Sequence, residues 1–302
     1  MYHPKLGIIG VGWVGAQLKR YFEEFKDYKT GEDLFTYDID PKKCVGDIGM
    51  ADAIFVAVPT PRNAETGACD TSIVEDAVGK IKGEKIVVIK STVPPGTTER
   101  LQKKYPNNKF LFNPEFLSEK TAWFDMIRPD RQIVGFTEQS LEAAHLVLSL
   151  LPKAPFMSPW GINTYKQSRV TATEAEIIKY AGNVYFSQKV NWANAIAKVC
   201  EKVNADYENV RKAMSADHRI GDSHLDVLHG GYRGFGGYCF PKDTAAFMAF
   251  AKEQGLQEVH ELLLAAWKFN EKLLADQGLT YEDVSKHITD LEVLEKKKTQ
   301  RG

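Results

Sequence analysis

Short apolar runs alternate with amphipathic stretches through the first half of the chain. Six of these runs have the length and composition of strands that are buried on both faces of a parallel sheet. They are KLGIIG, DLFTYDID, AIFVAVP, KIVVIKST, KFLFNP and RQIVGF. Helical stretches separate them, so the pattern predicts a doubly wound α/β sheet with helices on both faces. A ligand crevice is expected at the carboxyl ends of its strands.

The hydrophobic pattern changes at about Thr171. From there TEAEIIKYAGNVYFSQKVNWANAIAKVCEKV has the period of one long helix, and a glycine-rich loop and further helices follow to about Lys272. We therefore predict a parallel-sheet domain over residues 1–160 and an all-helical domain over residues 161–275. Residues 276–302 are predicted to form a C-terminal helix and a polar, basic tail.

The composition is that of an ordinary globular protein and does not by itself indicate a chemical activity. The 302 residues are 43% hydrophobic and 26% charged, which is enough for two domains with cores. The 39 basic residues are balanced by 40 acidic residues, so no basic field is formed. We therefore expect neither a nucleic acid nor a membrane surface as a partner.

The four cysteines lack the pattern of a metal site or of a disulfide framework. Cys44, Cys69, Cys200 and Cys239 form no CxxC pair and have no histidines clustered with them. We expect no bound metal and a reducing compartment. The first predicted strand begins almost at the N-terminus, and no apolar run has the length of a membrane span. The sequence therefore predicts a cytoplasmic protein without a leader peptide.

The segment GVGWVG follows the first predicted strand and opens a helical stretch, which is the context that a dinucleotide-binding fingerprint requires. Gly10 permits the tight turn, Gly12 lets a pyrophosphate approach the backbone, and Gly15 allows close packing of helix on strand. The second strand ends near Asp38, whose carboxylate can accept both ribose hydroxyls and repel a 2′-phosphate. These features predict a Rossmann domain that prefers NAD to NADP. Glycines that serve only the turn, with an exposed acid, are the alternative.

Two polar groups on the predicted long helix share one face. Lys179 and Asn183 are four residues apart, so an ammonium and a carboxamide can converge on one oxygen. A solvated lysine beside a capping asparagine is the alternative.

The glycine-rich loop leads to a cysteine with the surroundings of a nucleophile. In GGYRGFGGYCFPKDTAAF, glycines precede Cys239, and Pro241 is predicted to be the first residue of a helix. Cys239 would then lie at a helix N-terminus with Lys242 close by, and both features favour the thiolate. A buried inert cysteine is the alternative. Asp243 could orient a water or the thiol, or could be an acid favoured only by the helix dipole.

Hydroxyl and carboxyl groups follow two successive predicted strands. Thr92 lies in STVPPGTT, and Glu115 and Glu119 lie in NPEFLSE. Because the carboxyl ends of such strands face the crevice, these side chains can relay protons or position water. Helix capping is the alternative for Glu119.

Together these segments resemble the UDP-glucose/GDP-mannose dehydrogenase family, over nearly the whole chain up to about Asn270. The matching segments, in family order, are GVGWVG, VPTP, STVPPGTT, NPEFLSE followed by PDR, EIIKYAGN, DHRIG and GFGGYCFPKD. The resemblance implies an NAD-dependent enzyme that oxidises the primary alcohol of a nucleotide-bound sugar to a carboxylate. UDP-glucose is favoured over GDP-mannose by PDR with GFGG, and NPEFL argues against an N-acetylmannosamine substrate.

The resemblance also implies a covalent route. Cys239 would attack the aldehyde left by a first hydride transfer, giving a thiohemiacetal that a second transfer converts to a thioester, which water hydrolyses. Such capture keeps the intermediate from escaping between two NAD molecules. Lys179 and Asn183 would stabilise the oxyanions, and Asp243 and Thr92 would position the water or a proton.

The remaining roles are implied by position in the matching segments. Glu119 would act as acid and base in thioester hydrolysis. The implied substrate-binding residues are Glu115, Phe116, Leu117, Arg219, Phe235 and Gly236. The implied cofactor-binding residues are Gly10, Gly12, Val14, Gly15, Asp38, Thr60 and Lys242. Arg219 matches an arginine that reaches the sugar site of a neighbouring subunit, which implies a homodimer built on the long central helix.

The chain also departs from the family pattern. Family members carry a further nucleotide-binding domain after the central helices, and we expect this chain to lack it. The stretch between Asp38 and VPTP is shorter than usual, and the segment from Arg219 to Cys239 is a few residues longer. Ala195 stands where glutamate is common. These departures bear most on how the diphosphate is recognised.

Two other functions stay open at this point. A two-electron hydroxyacid dehydrogenase also places lysine and asparagine four apart on a helix after a Rossmann domain, but a single hydride transfer needs no thiol at Cys239. A shortened, non-catalytic or partner-dependent nucleotide-binding homologue would keep the same fold. Against it, every reacting residue that the resemblance implies is present.

Overall fold

The computed structural model describes residues 3–118, 120–159 and 169–285. Within them the chain divides into two compact units. The first, called the sheet unit here, comprises Met1–Pro61 and Asp70–Lys179. The second, called the helical unit, comprises Arg62–Cys69 and the chain from Tyr180 onward.

Eight strands are described in the sheet unit. They are β1 Leu6–Ile9, β2 Leu34–Tyr37, β3 Ala53–Val56, β4 Ile86–Ile89, β5 Lys109–Phe112, β6 Arg131–Ile133, β7 Gly135–Phe136 and β8 Phe156–Ser158. Six of them form one sheet in the order β2-β1-β3-β4-β5-β7, in which the first five strands are parallel. This arrangement confirms the predicted parallel-sheet class.

Helices cover both faces of this sheet. Those described are α1 Trp13–Phe25, α2 Ser72–Gly79, α3 Thr97–Lys104, α4 Ala122–Ile127 and α5 Leu141–Leu150. Neighbouring residues of a strand enter different cores because side chains alternate across a sheet. Ile8 lies in one buried cluster with Phe22 of α1, whereas Ile9 lies in a second cluster with Val74 of α2.

The sixth predicted strand is not a single strand, and this part of the prediction is wrong. RQIVGF divides into β6, which pairs in parallel with β8 in a separate two-stranded sheet, and β7, which runs antiparallel to β5. The chain changes partners at Val134, whose N–H donates to the Ser158 carbonyl at 3.0 Å. A Cβ at Gly135 would lie 2.6 Å from the Thr171 carbonyl oxygen, so close packing there requires glycine.

The long predicted helix is present as α6, Ala172–Val203, with 32 residues. It begins one residue after the predicted change of pattern at Thr171. The remaining helices of the helical unit are α7 Tyr207–Ser215, α8 Cys239–Glu253, α9 Gln257–Ala275 and α10 Tyr281–Val284. Helices α8 and α9 pack against each other, and a small core of Phe235, Leu274 and Tyr281 lies at the end of α9.

Some of the predicted boundaries lie outside the described residues, and one differs from the structure. The predicted division between residues 160 and 161 lies outside the described residues. Residues 286–302 of the predicted tail also lie outside them. Pro241 was predicted to be the first residue of a helix, but α8 begins two residues earlier, at Cys239. Among the described helices, none combines the length and the apolar composition needed to cross a membrane.

Candidate active site

The glycine turn after β1 has the shape that a dinucleotide requires. Gly10 has a φ of +90°, and a Cβ there would lie 2.5 Å from the Ala57 carbonyl oxygen. A Cβ at Gly15 would lie 1.9 Å from the Gly10 carbonyl oxygen, so α1 packs against the turn at a distance that only glycine permits. A Cβ at Gly12, in contrast, would have no atom within 4 Å. The turn therefore has no space for a side chain at Gly10 or Gly15, whereas Gly12 is open.

The N-terminus of α1 adjoins that open position. Gly12 is its N-cap and makes no side-chain capping bond, and the first turn, which contains Val14, has no acidic residue. The first N–H groups of a helix lack intrahelical acceptors and carry partial positive charge. The residues that would hold a pyrophosphate are those beside Gly12, because there the backbone is accessible and its donors are not capped by a side chain.

Asp38 lies just after β2 and bonds to the same turn. Its Oδ2 accepts from the Val11 N–H at 2.6 Å, and its Oδ1 accepts from the Asp40 N–H at 2.9 Å. Burial alone would raise the pKa of Asp38, but these two N–H groups and the Lys43 charge lower it below its ordinary value. The side chain is therefore an anion next to the glycine turn, as ribose binding requires. Thr60, four residues after β3, is buried.

The loop after β5 is fastened to α6. The Lys179 ammonium is 4% exposed and donates to Glu115 Oε1 at 2.9 Å and to the Glu115 carbonyl oxygen at 2.7 Å. Glu115 Oε2 in turn accepts from the Leu117 N–H at 2.8 Å. One carboxylate thus fixes both the lysine and the loop backbone.

The same loop carries an aromatic ring with two cations close to it. The Arg131 guanidinium lies 3.9 Å from the Phe116 ring centroid, and the Lys179 ammonium lies 5.7 Å from it. Thr92 lies in the loop after β4 and is partly exposed. Glu119, predicted as an acid and base, lies outside the described residues.

Two buried charged residues of the sheet unit were missed from the sequence. Lys90, the residue after β4, is 5% exposed and donates to Asn113 Oδ1 at 2.7 Å. Glu176 on α6 is fully buried and accepts from the Gly96 N–H at 2.6 Å and from the Thr98 N–H at 2.8 Å, which caps α3. A charged residue within or beside an apolar run was the available signal for Lys90. No local signal marked Glu176.

Cys239 is the first residue of α8, so its thiol lies where the helix dipole favours a thiolate. The preceding loop is held by specific contacts. The Gly237 N–H donates to the Val284 carbonyl at 2.8 Å, with φ of +73° at Gly237. A Cβ at Gly236 would lie 2.1 Å from the Tyr232 hydroxyl oxygen. The glycines therefore serve close packing of the loop, in addition to its turn.

A buried asparagine anchors this loop and was also missed from the sequence. Asn270 of α9 is fully buried, accepts from the Phe235 N–H at 2.7 Å, and donates to the Phe235 carbonyl at 3.0 Å. A Cβ at Gly234 would lie 2.6 Å from the Asn270 Oδ1. Asn270 thus replaces the backbone partners that the loop lacks.

Asp243 is the centre of the charged group beside Cys239. It is 1% exposed, accepts from Asn183 Nδ2 at 2.6 Å, and is bonded to the Lys242 ammonium. Burial alone would lower the pKa of Lys242, but the Asp243 carboxylate holds it above its usual range, and Cys239 and Cys69 act in the same direction. A permanent ammonium therefore lies within electrostatic reach of the Cys239 sulfur.

The predicted pair on α6 has two different carboxylate partners. Lys179, which belongs to the sheet unit, bonds to Glu115, and Asn183, which belongs to the helical unit, bonds to Asp243. Arg219 is exposed and bonds to Asp217 at 2.5 Å. Within the described ranges, no group of three or more His, Cys, Asp or Glu residues could hold a metal ion.

Comparison with known proteins decides the family. Residues 44–148 match the NAD binding domain of the UDP-glucose/GDP-mannose dehydrogenase family, and residues 173–272 match its central domain. The chain belongs to this family. The cofactor is therefore NAD, as predicted. The matched ranges include Thr60, Thr92, Glu115, Lys179, Asn183, Cys239 and Asp243. The glycine turn and Asp38 precede the matched range, so their assignment rests on geometry.

Relatives in the family are longer than this chain. The chain is 30% identical to the putative UDP-glucose 6-dehydrogenase YtcA of Bacillus subtilis, with 84% of this chain and 64% of that protein covered. It is 38% identical to the UDP-glucose 6-dehydrogenase TuaD of the same organism, with 74% and 47% covered. The chain thus spans between about half and two thirds of these relatives.

Solved structures show the same fold. A UDP-glucose dehydrogenase from Pyrobaculum islandicum matches with a TM-score of 0.73 and 28% identity, covering 91% of this chain and 71% of that one. A UDP-D-ManNAc dehydrogenase from Pyrococcus horikoshii matches with a TM-score of 0.73 at 20% identity, covering 92% and 71%. The second likeness concerns the fold alone.

Proposed function

We propose that this chain catalyses the NAD-dependent, four-electron oxidation of a nucleotide sugar, with UDP-glucose as substrate and UDP-glucuronate as product. The observation that carries the proposal is the position of Cys239 as the first residue of α8, with a permanent Lys242 ammonium beside it. A two-electron dehydrogenase has no use for an activated thiol, whereas a four-electron oxidation needs a covalent anchor for the aldehyde. Names of family relatives support the choice of UDP-glucose.

When bound, NAD would supply the hydride acceptor for both oxidations. The first hydride leaves the primary alcohol carbon and the second leaves the same carbon in the thiohemiacetal, and the hydroxyl proton is released each time. After the first, the Cys239 thiolate adds to the aldehyde carbon and a C–S bond forms, while the aldehyde oxygen takes up a proton. After the second, the carbon is held as a thioester. Water then attacks that carbon, the C–S bond breaks, and the sulfur leaves as the Cys239 thiolate, while the two protons of the water are released as the carboxylate forms.

The other residues have roles that follow from their charge and partners. Lys179 and Asn183 are donors for the oxyanions that develop in these steps. Asp243, held by Lys242, and Thr92 position the water or a proton. Glu119 is proposed as the acid and base of hydrolysis by family resemblance alone.

Substrate contacts are proposed on two loops. By family resemblance, Glu115 and the backbone of Phe116 and Leu117 would hold the sugar. Phe235 and Gly236, in the loop that precedes Cys239 in the chain, would also contact it. Cys44 and Cys200 take part in no disulfide, which agrees with a cytoplasmic location.

The experiment counts products. Purified chain is mixed with NAD and, in separate reactions, UDP-glucose, GDP-mannose and UDP-N-acetylmannosamine, and NADH is measured per sugar consumed. We expect a ratio of two with UDP-glucose, no release of acid from Cys239→Ser, and unchanged turnover in the control Cys200→Ala. A ratio of one would instead identify a two-electron enzyme. NAD binding without turnover would identify a non-catalytic or partner-dependent homologue.

We also propose that the chain forms a homodimer through α6. Tyr185, Trp192 and Val199 are each 58% exposed and stand seven residues apart, which places them along one face of the helix. Next to them is a cavity of about 320 Å³. Its lining residues are Gln188, Asn191, Trp192, Ala195, Ala266 and Phe269. A second α6 would cover this apolar face, and the exposed Arg219 would act at the partner's sugar site.

A further inference from the structure

Lys90 is a buried ammonium at the carboxyl end of β4. It is 5% exposed, and lysine is rarely buried unless its charge is paired. Among the described residues the hydrogen bonds of its ammonium go only to Asn113, with Oδ1 at 2.7 Å and the carbonyl oxygen at 3.4 Å. A neutral acceptor does not offset the cost of burying a charge, so another group must explain why a lysine stands there.

Asn113, which accepts the hydrogen bond from Lys90, uses its other side-chain atoms in further hydrogen bonds. It is 0% exposed, and its Nδ2 donates to Gln132 Oε1 at 2.9 Å and to the Ile133 carbonyl at 2.7 Å. Its own N–H donates to the Ile89 carbonyl at 2.9 Å. The asparagine therefore has one conformation, and it lies two residues before Glu115. Through Asn113, Lys90 fixes the start of the loop that presents Glu115.

Lys90 also acts on the Glu115 carboxylate by charge. The pKa of Lys90 is lowered to about 8, mainly by burial; the Glu115 charge acts to raise it and the Lys179 charge acts to lower it. Lys179 is the ammonium bonded to the same carboxylate at 2.9 Å. The charges of two lysines thus act on one carboxylate that is about 10% exposed.

We propose that Lys90 is a positioning residue for the oxidation of the nucleotide sugar, because it fixes the Glu115 loop through Asn113 and adds the second positive charge to the Glu115–Lys179 pair. This rests on the proposed function. With Glu115 neutralised by one cation, the other leaves positive potential for the oxyanion that Lys179 is proposed to stabilise. Loss of the Lys90 proton removes that potential.

Turnover supplies the first test. Lys90→Met keeps the length of the side chain without the charge, and the control is Lys85→Met, which removes an exposed ammonium bonded to the Gly49 carbonyl next to the start of the same strand. We expect kcat to fall roughly 10- to 100-fold in Lys90→Met, with NAD affinity unchanged, and no change in Lys85→Met. In the wild type we expect kcat to fall as pH rises through about 8, the pKa of Lys90, and we expect this fall to be absent in Lys90→Met.

Lys90→Gln removes the charge but keeps a donor to Asn113, and thermal unfolding measures the stability of each variant. Together they separate a folding defect from the loss of a positioning role. A Lys90→Met variant with wild-type kcat, or one that keeps the alkaline fall, would overturn the proposal. A general loss of activity in which Lys90→Gln and NAD binding fail together would also overturn it, since that pattern indicates a purely structural lysine.

A second test needs no turnover. In protein carrying ¹³C-labelled lysine, the ε-carbon signal that disappears in Lys90→Arg is titrated. We expect its pKa to move down in Glu115→Gln and up in Lys179→Met, because each removes one of the two charges. A signal that ignores both substitutions would contradict the proposal even if the enzyme is active. If wild type oxidises no nucleotide sugar but these shifts occur, the proposed function fails while the coupling of the three residues stands.

Discussion

Gly12 and Gly15 stand three residues apart in one turn, yet their surroundings differ completely. Open space surrounds Gly12, whereas a Cβ at Gly15 would lie 1.9 Å from the Gly10 carbonyl oxygen. We expect Gly12→Ala to fold normally but to bind NAD roughly tenfold more weakly, because the new methyl group occupies the pyrophosphate position. Gly15→Ala should instead lower the free energy of unfolding, because helix α1 must move away from the turn.

The measurements are a fluorescence titration with NAD and urea unfolding of both variants. The two glycines are each other's control, because the chemical change is identical. Equal losses of stability at both positions, or unchanged NAD affinity in Gly12→Ala, would contradict the assignment of the pyrophosphate to this turn.

At the residue scale, the carboxylate partners of Lys179 and Asn183 cannot be read from any single position of the sequence. Asp243 is 60 residues from Asn183 in the chain, and Glu115 is 64 residues from Lys179. All four residues are predicted from the sequence, where the spacing of Lys179 and Asn183 places both on one oxygen. In the structure each of them is held by its own carboxylate. Their roles with substrate stay predictions.

At the scale of elements, α6 caps α3 through Glu176. The burial of Glu176 raises its pKa to about 7, although the Thr98 and Gly96 donors act in the opposite direction. The folded protein therefore retains this proton in a pH range where the unfolded chain, with an ordinary value of 4.5, has lost it. Stability contributed by the protonated form is complete below about pH 4.5 and is lost as pH rises through about 7.

We expect the free energy of unfolding of wild type to decline between pH 5 and pH 8 by up to about 3 kcal/mol from this group. Glu176→Gln, which keeps an acceptor for α3 and cannot ionise, should show a smaller decline. Urea unfolding at a series of pH values measures both proteins. Parallel curves for wild type and variant would show that Glu176 is already ionised in the folded state at pH 5.

For the whole molecule, the apolar face of α6 leads to a prediction about assembly. Trp192 is 58% exposed in the middle of that face. We expect wild type to elute with about twice the 33.9 kDa chain mass, and Trp192→Glu to elute as a monomer, because a carboxylate would be buried unpaired in the interface. The measurement is light scattering after size exclusion.

Phe124→Glu on α4 is the matched control, since Phe124 is also an exposed aromatic residue, at 56%, but belongs to the sheet unit. It should leave the dimer intact. A monomeric wild type, or a dimer that survives Trp192→Glu, would contradict assembly through α6.

The sequence alone determined the class of fold and the family. Apolar runs and the helical period report burial of a segment against the rest of the protein, which is a local property, so five strands of the main sheet and α6 were predicted correctly. The glycine turn was recognisable for the same reason, because the positive φ of Gly10 and the close approach of Gly15 to the Gly10 carbonyl are constraints within the turn itself. Cys239 was correctly placed at a helix N-terminus, although the helix starts at Cys239 and not at Pro241.

Only the tertiary structure decided which side chains are partners. RQIVGF has one continuous apolar pattern, but its two halves pair with different strands, because pairing depends on which edges are available in the folded sheet. Glu176 meets the start of α3 across about 80 residues of chain, and Lys90 meets Asn113 across 23. Hydrogen bonds and charge pairs are contacts in space, and the hydrophobic period along the chain carries no record of them.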